Sequence, residues 1–252
     1  MIHYHGGPIT PETCAVVAWS GRHAFCSFDH RAGTARQIET AAAICQSFAL
    51  DNGAFPAWTR GEPVTDWAPF YAWAASWLTH PACDWAVIPD VIGGTEAEND
   101  ALVREWPLGF AGVPVWHLNE SIDRLVSLAD DWPRVALGSA AEYDVKSPRA
   151  ALDRLAEALP AISDADGRPL VKLHGLRMLR PEIVERVPLA SADSTNLRNA
   201  GFDLAWKGTY QPATKEARVM VLVDRMESHN APDRLLWSPA QQLDVFALEA
   251  TS

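Results

Sequence analysis

Short apolar runs alternate along the chain with segments of helical spacing. Nine runs are rich in Val, Ile, Ala and Leu and are continuous in their apolar character, which is typical of parallel strands covered by helices on both faces. They are residues 2–5, 24–28, 47–51, 85–90, 113–117, 134–138, 170–174, 189–193 and 203–206. A further run, 217–223, predicts a strand in a C-terminal appendage.

The intervening segments carry helix signals. They include "RQIETAAAICQ", "DWAPFYAWAASWLTH", "SIDRLVSLADDW", "SPRAALDRLAEALPAI" and "RPEIVERV". Ser121 and Ser147 suit the N-cap position, and Pro148 and Pro181 suit a first helical turn, where no N–H partner is needed. About eight strand–helix units predict an α/β fold, a (β/α)8 TIM-type barrel forming a single domain over residues 1–252 with small N- and C-terminal appendages. Because there are nine candidate strands, we expect one N-terminal run to lie outside the barrel.

Composition narrows the class of protein. With 252 residues and 48% hydrophobic content, the chain can bury a large core. A net charge of -11 argues against a surface that is basic throughout, so nucleic acid would need a local basic patch. The four cysteines form no CxxC pair, and no apolar run approaches the roughly 18 residues of a membrane span. We expect a soluble, cytoplasmic protein with no membrane partner.

Polar or small residues end most of the candidate strands. They are His5, Asp51, Asp90, His117, Gly138, His174 and Asp193. In a parallel barrel these ends face one rim, where active sites lie. An Asp followed by hydroxyl and amide side chains, as in "SADSTN", stays ionised and can act as a nucleophile. Each aspartate taken singly is equally compatible with a loop-bracing role.

Six segments occur in the order of the signature segments of a known family. They are "LDNGAF", "AVIPDV", "VPVWHLNES", "VALGSA", "LVKLHGLRMLRPEIVERV" and "ASADSTN", and they resemble the tRNA-guanine transglycosylase superfamily. The 18 positions from Gly175 to Asp193 closely match the family spacing. The resemblance covers about residues 45–200. With no C-terminal Cys-x-Cys-x-x-Cys zinc motif and with "HYHGGPIT" at its start, the chain looks most like the phage and bacterial enzymes that place 7-deazaguanine bases into DNA.

This resemblance implies a base exchange in which a free 7-deazaguanine base replaces guanine in nucleic acid. It places Asp193 at the family's nucleophile and Asp51 at its general acid/base carboxylate. Asp90 falls at the purine-recognising carboxylate and Gly138 at the base-pocket glycine. The other base-binding candidates are Asn52, Gly53, His117, Ser139 and His174. His117 stands where the family has a glutamine, and Leu118 replaces a small residue after it.

The resemblance also implies partners. It favours DNA over tRNA as acceptor, because the missing zinc subdomain helps the tRNA enzymes to dock tRNA. Phosphate contacts would come from local cations, for which the candidates are Lys172, Arg177, Arg180, Arg198 and Lys207. Trp58 and Trp116 are the tryptophans closest in sequence to the site and are candidates for stacking on bases. No cofactor or metal is expected, a phage-encoded protein would work in the host cytoplasm, and a homodimer is left open because relatives often pair.

Two other classes of protein fit part of the pattern. His3, His5, His117, His174 and Asp193 are similar to the metal-ligand layout of amidohydrolase barrels, in which a divalent ion activates water. That alternative leaves Asp51 and Asp90 without a role and places the aspartate one strand too early. The third class is a catalytically inactive barrel that binds a nucleobase or a partner protein.

Overall fold

The computed structural model describes residues 1–143, 148–198, 206 and 208–238. The strands are β1 (Ile2–Gly6), β2 (His23–Asp29), β3 (Thr34–Ala35), β4 (Ser47–Asp51), β5 (Cys83–Val87), β6 (Gly112–Val113), β7 (Val115–His117), β8 (Arg134–Gly138), β9 (Lys172–Gly175) and β10 (Ser191–Ser194). The α-helices are α1 (Glu12–Trp19), α2 (Ile38–Ile44), α3 (Ala54–Thr59), α4 (Ala68–Trp77), α5 (Glu96–Glu105), α6 (Ile122–Asp131), α7 (Pro148–Ala158), α8 (Pro181–Val184) and α9 (Lys215–Glu227).

The protein has an α/β fold with a nearly closed, barrel-like parallel sheet. Its strand order is β6-β5-β4-β2-β1-β10-β9-β8-β7, and β3 pairs antiparallel with β2 off this path. The two ends of the path, β6 and β7, are separated in the chain only by Pro114. The Val113 carbonyl accepts from the Ile88 N–H on one side, and the Pro114 carbonyl accepts from the Ala136 N–H on the other, both at 2.9 Å. This stretch therefore borders both β5 and β8.

Strand residues alternate between the interior of the barrel-like sheet and the helices outside it. The interior cluster consists of Tyr4, Phe25, Ala49, Trp85, Val87, Val113, Val115 and Ala136. Two larger apolar clusters join the opposite sheet face to the helices, one including Trp19, Phe48 and Phe70 and the other including Trp116 and Leu137. A residue's place in this alternation decides whether its side chain can reach an interior site.

Helix starts follow the predicted capping chemistry where the structure describes them. The Ser121 hydroxyl accepts a hydrogen bond from the Arg124 N–H and caps α6. Pro148 and Pro181 are the first residues of α7 and α8. Ser147, the predicted cap of α7, lies outside the described residues.

Two predictions about the outer parts of the chain are wrong. No N-terminal run is left out of the sheet, because β1 pairs with β10 on one side and with β2 on the other. The run 217–223 is helical and lies in α9, where Val219 and Val223 are buried at the i, i+4 spacing of one helix face. Of the candidate strand 203–206, only Trp206 lies within the described residues. Among the described helices, none is both long enough and apolar enough to cross a bilayer.

Candidate functional site

Three carboxylates influence one another at the carboxyl end of the sheet. Asp51 ends β4, Asp193 lies in β10, and Asp90 lies in the loop that follows β5. The pKa of Asp51 is raised to about 6, mainly by burial and also by the negative charges of Asp193 and Asp90, which together outweigh the lowering effects of a Ser27 hydrogen bond and the Arg177 charge. Asp51 is therefore near enough to both other carboxylates for their charges to interact.

Asp90 is held between an amide and an imidazole. The Asn52 side chain donates to Asp90 Oδ1 at 2.8 Å, and His117 Nε2 lies 3.0 Å from Asp90 Oδ2. On the other side of the ring, His117 Nδ1 lies 3.3 Å from Glu120 Oε1, and the His117 backbone N–H donates to Glu120 Oε2 at 2.8 Å. Both ring nitrogens of His117 thus face carboxylate oxygens.

This arrangement favours a charged imidazole. Burial acts to lower the pKa of His117, but the hydrogen bonds and charges of Asp90 and Glu120 outweigh it and raise the pKa to about 9. Burial acts to raise the pKa of Glu120, but its bonds to His117 and the charge of Arg124 leave it below its ordinary value. Arg124 Nη1 lies 2.6 Å from Glu120 Oε2, and both side chains are buried. The result is a chain of alternating charges that ends at Asp90.

Gly138 makes room for this histidine. A Cβ at position 138 would lie 2.9 Å from His117 Cδ2 and 3.0 Å from Val115 Cγ1, closer than packed carbon atoms come. The space that a side chain would fill is therefore already taken by the imidazole. Gly138 lies at the predicted rim and Ser139 follows it, half-buried, in the next loop.

The Asn52–Gly53 turn positions Asp90. The Asn52 amide group also donates to the Ile88 carbonyl at 3.0 Å, and its oxygen accepts from the Ala54 N–H at 2.8 Å. Both of its donor hydrogens are thus used within the protein. Gly53 has a φ of +73°, and a Cβ there would lie 2.0 Å from the Phe28 carbonyl oxygen. The geometry gives both residues a supporting role and leaves the Asn52 side chain without a free donor for the base contact predicted for it.

Asp193 is buried and receives a backbone hydrogen bond. The Arg177 N–H donates to Asp193 Oδ1 at 2.8 Å, and Arg177 adopts a left-handed φ of +58° that is uncommon for a side chain of its size. His174 Nε2 lies 3.4 Å from the same Asp193 oxygen. A strained backbone that aims a donor at a carboxylate is typical of a functional site.

The Arg177 side chain stacks on an aromatic ring of α3. Its guanidinium carbon lies 3.6 Å from the centre of the Phe55 ring, and its charge opposes the rise in the Asp51 pKa. Phe55 and Trp58 lie on α3 with 37% and 50% of their surfaces exposed. The Arg177 cation thus acts on Asp51 and stacks on Phe55, whose ring in turn contacts Trp58.

The histidines of the amidohydrolase alternative do not come together. His3 Nε2 lies 2.8 Å from the His229 carbonyl, and His5 Nε2 lies 2.9 Å from Glu227 Oε1 at the end of α9. Their strand neighbour Tyr4 belongs to the interior cluster, so both histidines point to the outer face. Among the described residues, no group of three or more His, Cys, Asp or Glu side chains is arranged to hold a metal ion.

Two of the predicted nucleic-acid contacts lie away from the site, and a third cannot be placed. Lys172 begins β9 and is paired in register with Arg134, the first residue of β8, so it lies at the end of the sheet opposite the site. Trp116 is fully buried, and its indole N–H donates to the Ser121 carbonyl, so it cannot stack on a base. Lys207 lies outside the described residues. Arg177 and Arg198 are exposed and follow the carboxyl ends of β9 and β10, and Arg180 lies half-buried at the start of α8.

Several residues of the site were not singled out from the sequence. Glu120 lies three residues after His117 within "VPVWHLNES", and its loop position offered the one usable signal. Ser27 lies two positions after the interior Phe25, so strand alternation places it inward. Phe55 follows the Asn52–Gly53 turn, but no pattern shows that an apolar residue there remains exposed.

Comparisons with known proteins add no relative to this picture. No family model, no curated protein and no solved structure matches the chain. The function therefore has to be inferred from the geometry and chemistry of the site.

Proposed function

We propose that this protein is a base-exchange glycosyltransferase of the tRNA-guanine transglycosylase type. It would replace guanine in nucleic acid with a free 7-deazaguanine base through a covalent aspartyl-glycosyl intermediate. The observation that carries the proposal is the grouping of three carboxylates at the carboxyl end of the sheet, where the charges of Asp193 and Asp90 both act on Asp51. One carboxyl group can act as acid/base and another as nucleophile at the same sugar only if their environments give them different protonation states.

The proposed architecture is a closed (β/α)8 barrel. If β6 and β7 are counted as one strand interrupted at Pro114, the parallel path has eight members and returns to its start. Proline is tolerated there because the strand breaks its hydrogen-bonding pattern at that residue. The carboxyl-end rim of such a barrel is the usual place for an active site.

Asp193 and Asp51 would divide the chemistry. The Asp193 carboxylate attacks C1′ of the sugar, the C1′–N9 bond to guanine breaks, and the neutral carboxyl of Asp51 supplies the proton that the leaving base takes up. The incoming base then gives its N9 proton to the Asp51 carboxylate, and N9 displaces Asp193 from C1′. A pKa of about 6 makes both protonation states of Asp51 accessible near neutral pH. Two displacements retain the configuration at C1′.

Asp90 would recognise the base by accepting its N–H groups. Each Asp90 oxygen already accepts from one protein donor, Asn52 or His117, and each retains a lone pair for a ligand. These free acceptor positions on Asp90 favour a heterocycle that presents N–H donors, as guanine and its 7-deaza analogues do along one edge. His117 would hold Asp90 rather than contact the base, which differs from the expectation that His117 itself binds the base.

DNA is the proposed acceptor in preference to tRNA. The chain has a net charge of -11, so phosphate contacts would be few and local, with Arg177 and Arg198 placed at the carboxyl end of the strands. Trp58, half exposed on α3, offers ring surface on which an unstacked base could lie. A duplex would have to give up a base from its stack, at a cost of a few kcal/mol.

The test is base exchange with labelled guanine or a labelled 7-deazaguanine, on DNA and on tRNA, with and without a chelator. We expect the wild type to incorporate label into DNA and to form a covalent adduct that survives denaturing electrophoresis. Asp193→Asn should abolish both, and Asp123→Asn, which changes an exposed aspartate on α6, should abolish neither.

Three outcomes would contradict the proposal. An adduct that persists in Asp193→Asn would refute the nucleophile. Chelator-sensitive hydrolysis without base exchange would favour the metal-dependent hydrolase. Binding of a base without exchange on either nucleic acid would favour the catalytically inactive barrel.

A further inference from the structure

A line of buried polar side chains leads through the barrel interior to Asp193. Arg134 Nη1 donates to Ser191 Oγ at 3.1 Å, and Ser191 Oγ lies 2.9 Å from His174 Nδ1. His174 Nε2 then lies 3.4 Å from Asp193 Oδ1. Ser191 and His174 are fully buried, and Asp193 is 3% exposed.

The hydrogen positions along this line follow from its first member. Arg134 can only donate, so the Ser191 oxygen is an acceptor toward it. Within the described part of the chain, the Ser191 hydroxyl has no acceptor other than His174 Nδ1. The hydroxyl hydrogen therefore points at Nδ1, and a neutral His174 carries its single proton on Nε2, facing Asp193.

The surroundings of His174 keep the ring neutral and immobile. Burial lowers the pKa of His174, and the charge of Arg134 acts in the same direction against the raising effect of Asp193. The ring centre lies 4.7 Å from the Trp85 ring, edge to face, and 5.5 Å from the Phe25 ring. Nε2 has no well-formed hydrogen bond within the described residues, although it is fully buried and directed at Asp193.

We propose that His174 is a positioning residue that offers an Nε2–H donor to Asp193, and that Ser191 selects the required tautomer. The catalytic part of this inference rests on the proposed function, in which Asp193 is the nucleophile. The 3.4 Å separation would shorten as the carboxylate turns toward the sugar, because catalytic hydrogen bonds often tighten only in the substrate complex. Without the donor, the Asp193 carboxylate would lose one of the two contacts that it makes among the described residues, the other being the Arg177 N–H.

The main test compares His174→Gln with His174→Met. Glutamine can place an N–H near the position of Nε2, whereas methionine fills the space without a donor. We expect the methionine variant to lose about tenfold or more in the rate of covalent adduct formation, as expected for a lost hydrogen bond to a charged group, with little change in the KM for the base. The glutamine variant should recover much of that rate.

The pH dependence of the rate distinguishes a positioning role of His174 from a role in packing alone. Asp193 faces His174, the Arg177 N–H and the charge of Asp51, and His174 faces Arg134 and Tyr4. Loss of a donor to the Asp193 carboxylate should move the acidic limb of the rate profile to higher pH in His174→Met and in Ser191→Ala. Loss of packing alone would lower the rate without moving that limb.

His23 provides a matched control. It is another histidine beside a serine hydroxyl, with His23 Nδ1 2.8 Å from Ser47 Oγ, but it begins β2 at the opposite end of the sheet. His23→Met should leave the acidic limb where it is in the wild type. A shift in this variant equal to that in His174→Met would overturn the inference.

A measurement independent of activity distinguishes this inference from the proposed function. Nitrogen-15 spectra of histidine-labelled protein should show the His174 proton on Nε2 in the wild type and a mixture of tautomers in Ser191→Ala. A proton on Nδ1 in the wild type would overturn the inference even if base exchange were found. The expected tautomer in a protein without base exchange would refute the proposed function and leave the Ser191–His174 arrangement standing.

Discussion

The buried carboxyl of Asp51 costs the folded state stability. Its carboxyl is buried beside two other carboxylates, and its pKa is raised to about 6 from an ordinary value of 3.8. A raised carboxyl pKa means that the folded state holds its proton more tightly than the unfolded chain does. The folded protein is therefore penalised as pH rises through this interval, and the penalty is complete above about pH 6.

Asp51→Asn should consequently stabilise the protein while abolishing base exchange. We expect a gain of roughly 1–3 kcal/mol in the free energy of unfolding at pH 7.5, shrinking toward zero as the pH falls below the ordinary pKa of 3.8, where both states hold the proton. Denaturant unfolding at several pH values measures it, with Asp123→Asn as control. A variant less stable than the wild type at pH 7.5 would contradict the claim that the ionised Asp51 carboxylate destabilises the folded state.

His117 should show the opposite pH dependence. Its folded-state pKa of about 9 exceeds the ordinary 6.5, so its ion pairs contribute fully below about pH 6.5 and are lost as pH rises through 9. His117→Gln should remove roughly 2–3 kcal/mol of this pH-dependent stability. The measurement is the difference in unfolding free energy between wild type and variant from pH 6 to pH 10. A difference that stays constant over this range would show that His117 is not held as a cation.

At the scale of elements, a glycine on β8 leaves space for a histidine on the neighbouring strand β7. His117 pairs in register with Gly138, and the absent side chain at 138 leaves the imidazole room to reach both carboxylates. The two strands thus form one unit in which a change on β8 acts on a residue of β7. The need for glycine at position 138 therefore depends on the pairing of β8 with β7 and cannot be predicted from either strand alone.

Gly138→Ala should therefore act through His117. We expect a loss of about 1–3 kcal/mol in stability and weaker base binding, because the new Cβ forces the ring away from Asp90. A double-mutant cycle with His117→Ala tests the mechanism, since the alanine at 138 should cost less once the ring is gone. Additive losses in the cycle would show that the ring is not the obstacle.

At the scale of the whole molecule, the net negative charge would limit how the proposed nucleic-acid partner could be held. With a net charge of -11, binding would depend on a few cations near the mouth and would be opposed elsewhere. The salt dependence of binding counts these contacts, because each phosphate neutralised on a duplex adds about -0.9 to the slope of log K against log salt.

Arg177→Gln should reduce the magnitude of that slope by about one. Lys172→Gln is the matched control, because Lys172 is exposed at the opposite end of the sheet and should leave the slope unchanged. Filter binding or anisotropy over a range of salt concentrations measures both. Equal effects of the two substitutions would mean that nucleic acid does not bind at the carboxyl end of the strands.

Much of the fold could be predicted from the order of apolar runs. The parallel α/β sheet follows from strand and helix signals that alternate along the chain, because each is a local property of a few residues. The sequence predicts a strand at 217–223, whereas the structure has a helix there. A short apolar segment is compatible with either element until its packing partner is known. The strand-end aspartates could likewise be found, since their positions depend only on where each run ends.

The sequence by itself determined which residue types stand at the carboxyl ends of the strands. Tertiary structure decided which of them face the interior, because a continuous apolar run does not reveal the phase of its alternation. That phase turns His3 and His5 outward and His174 inward, and it buries Trp116 behind the sheet. The charge state of His117 was also decided there, since its two carboxylate partners come from different loops and act only over a few ångströms through a poorly solvated interior.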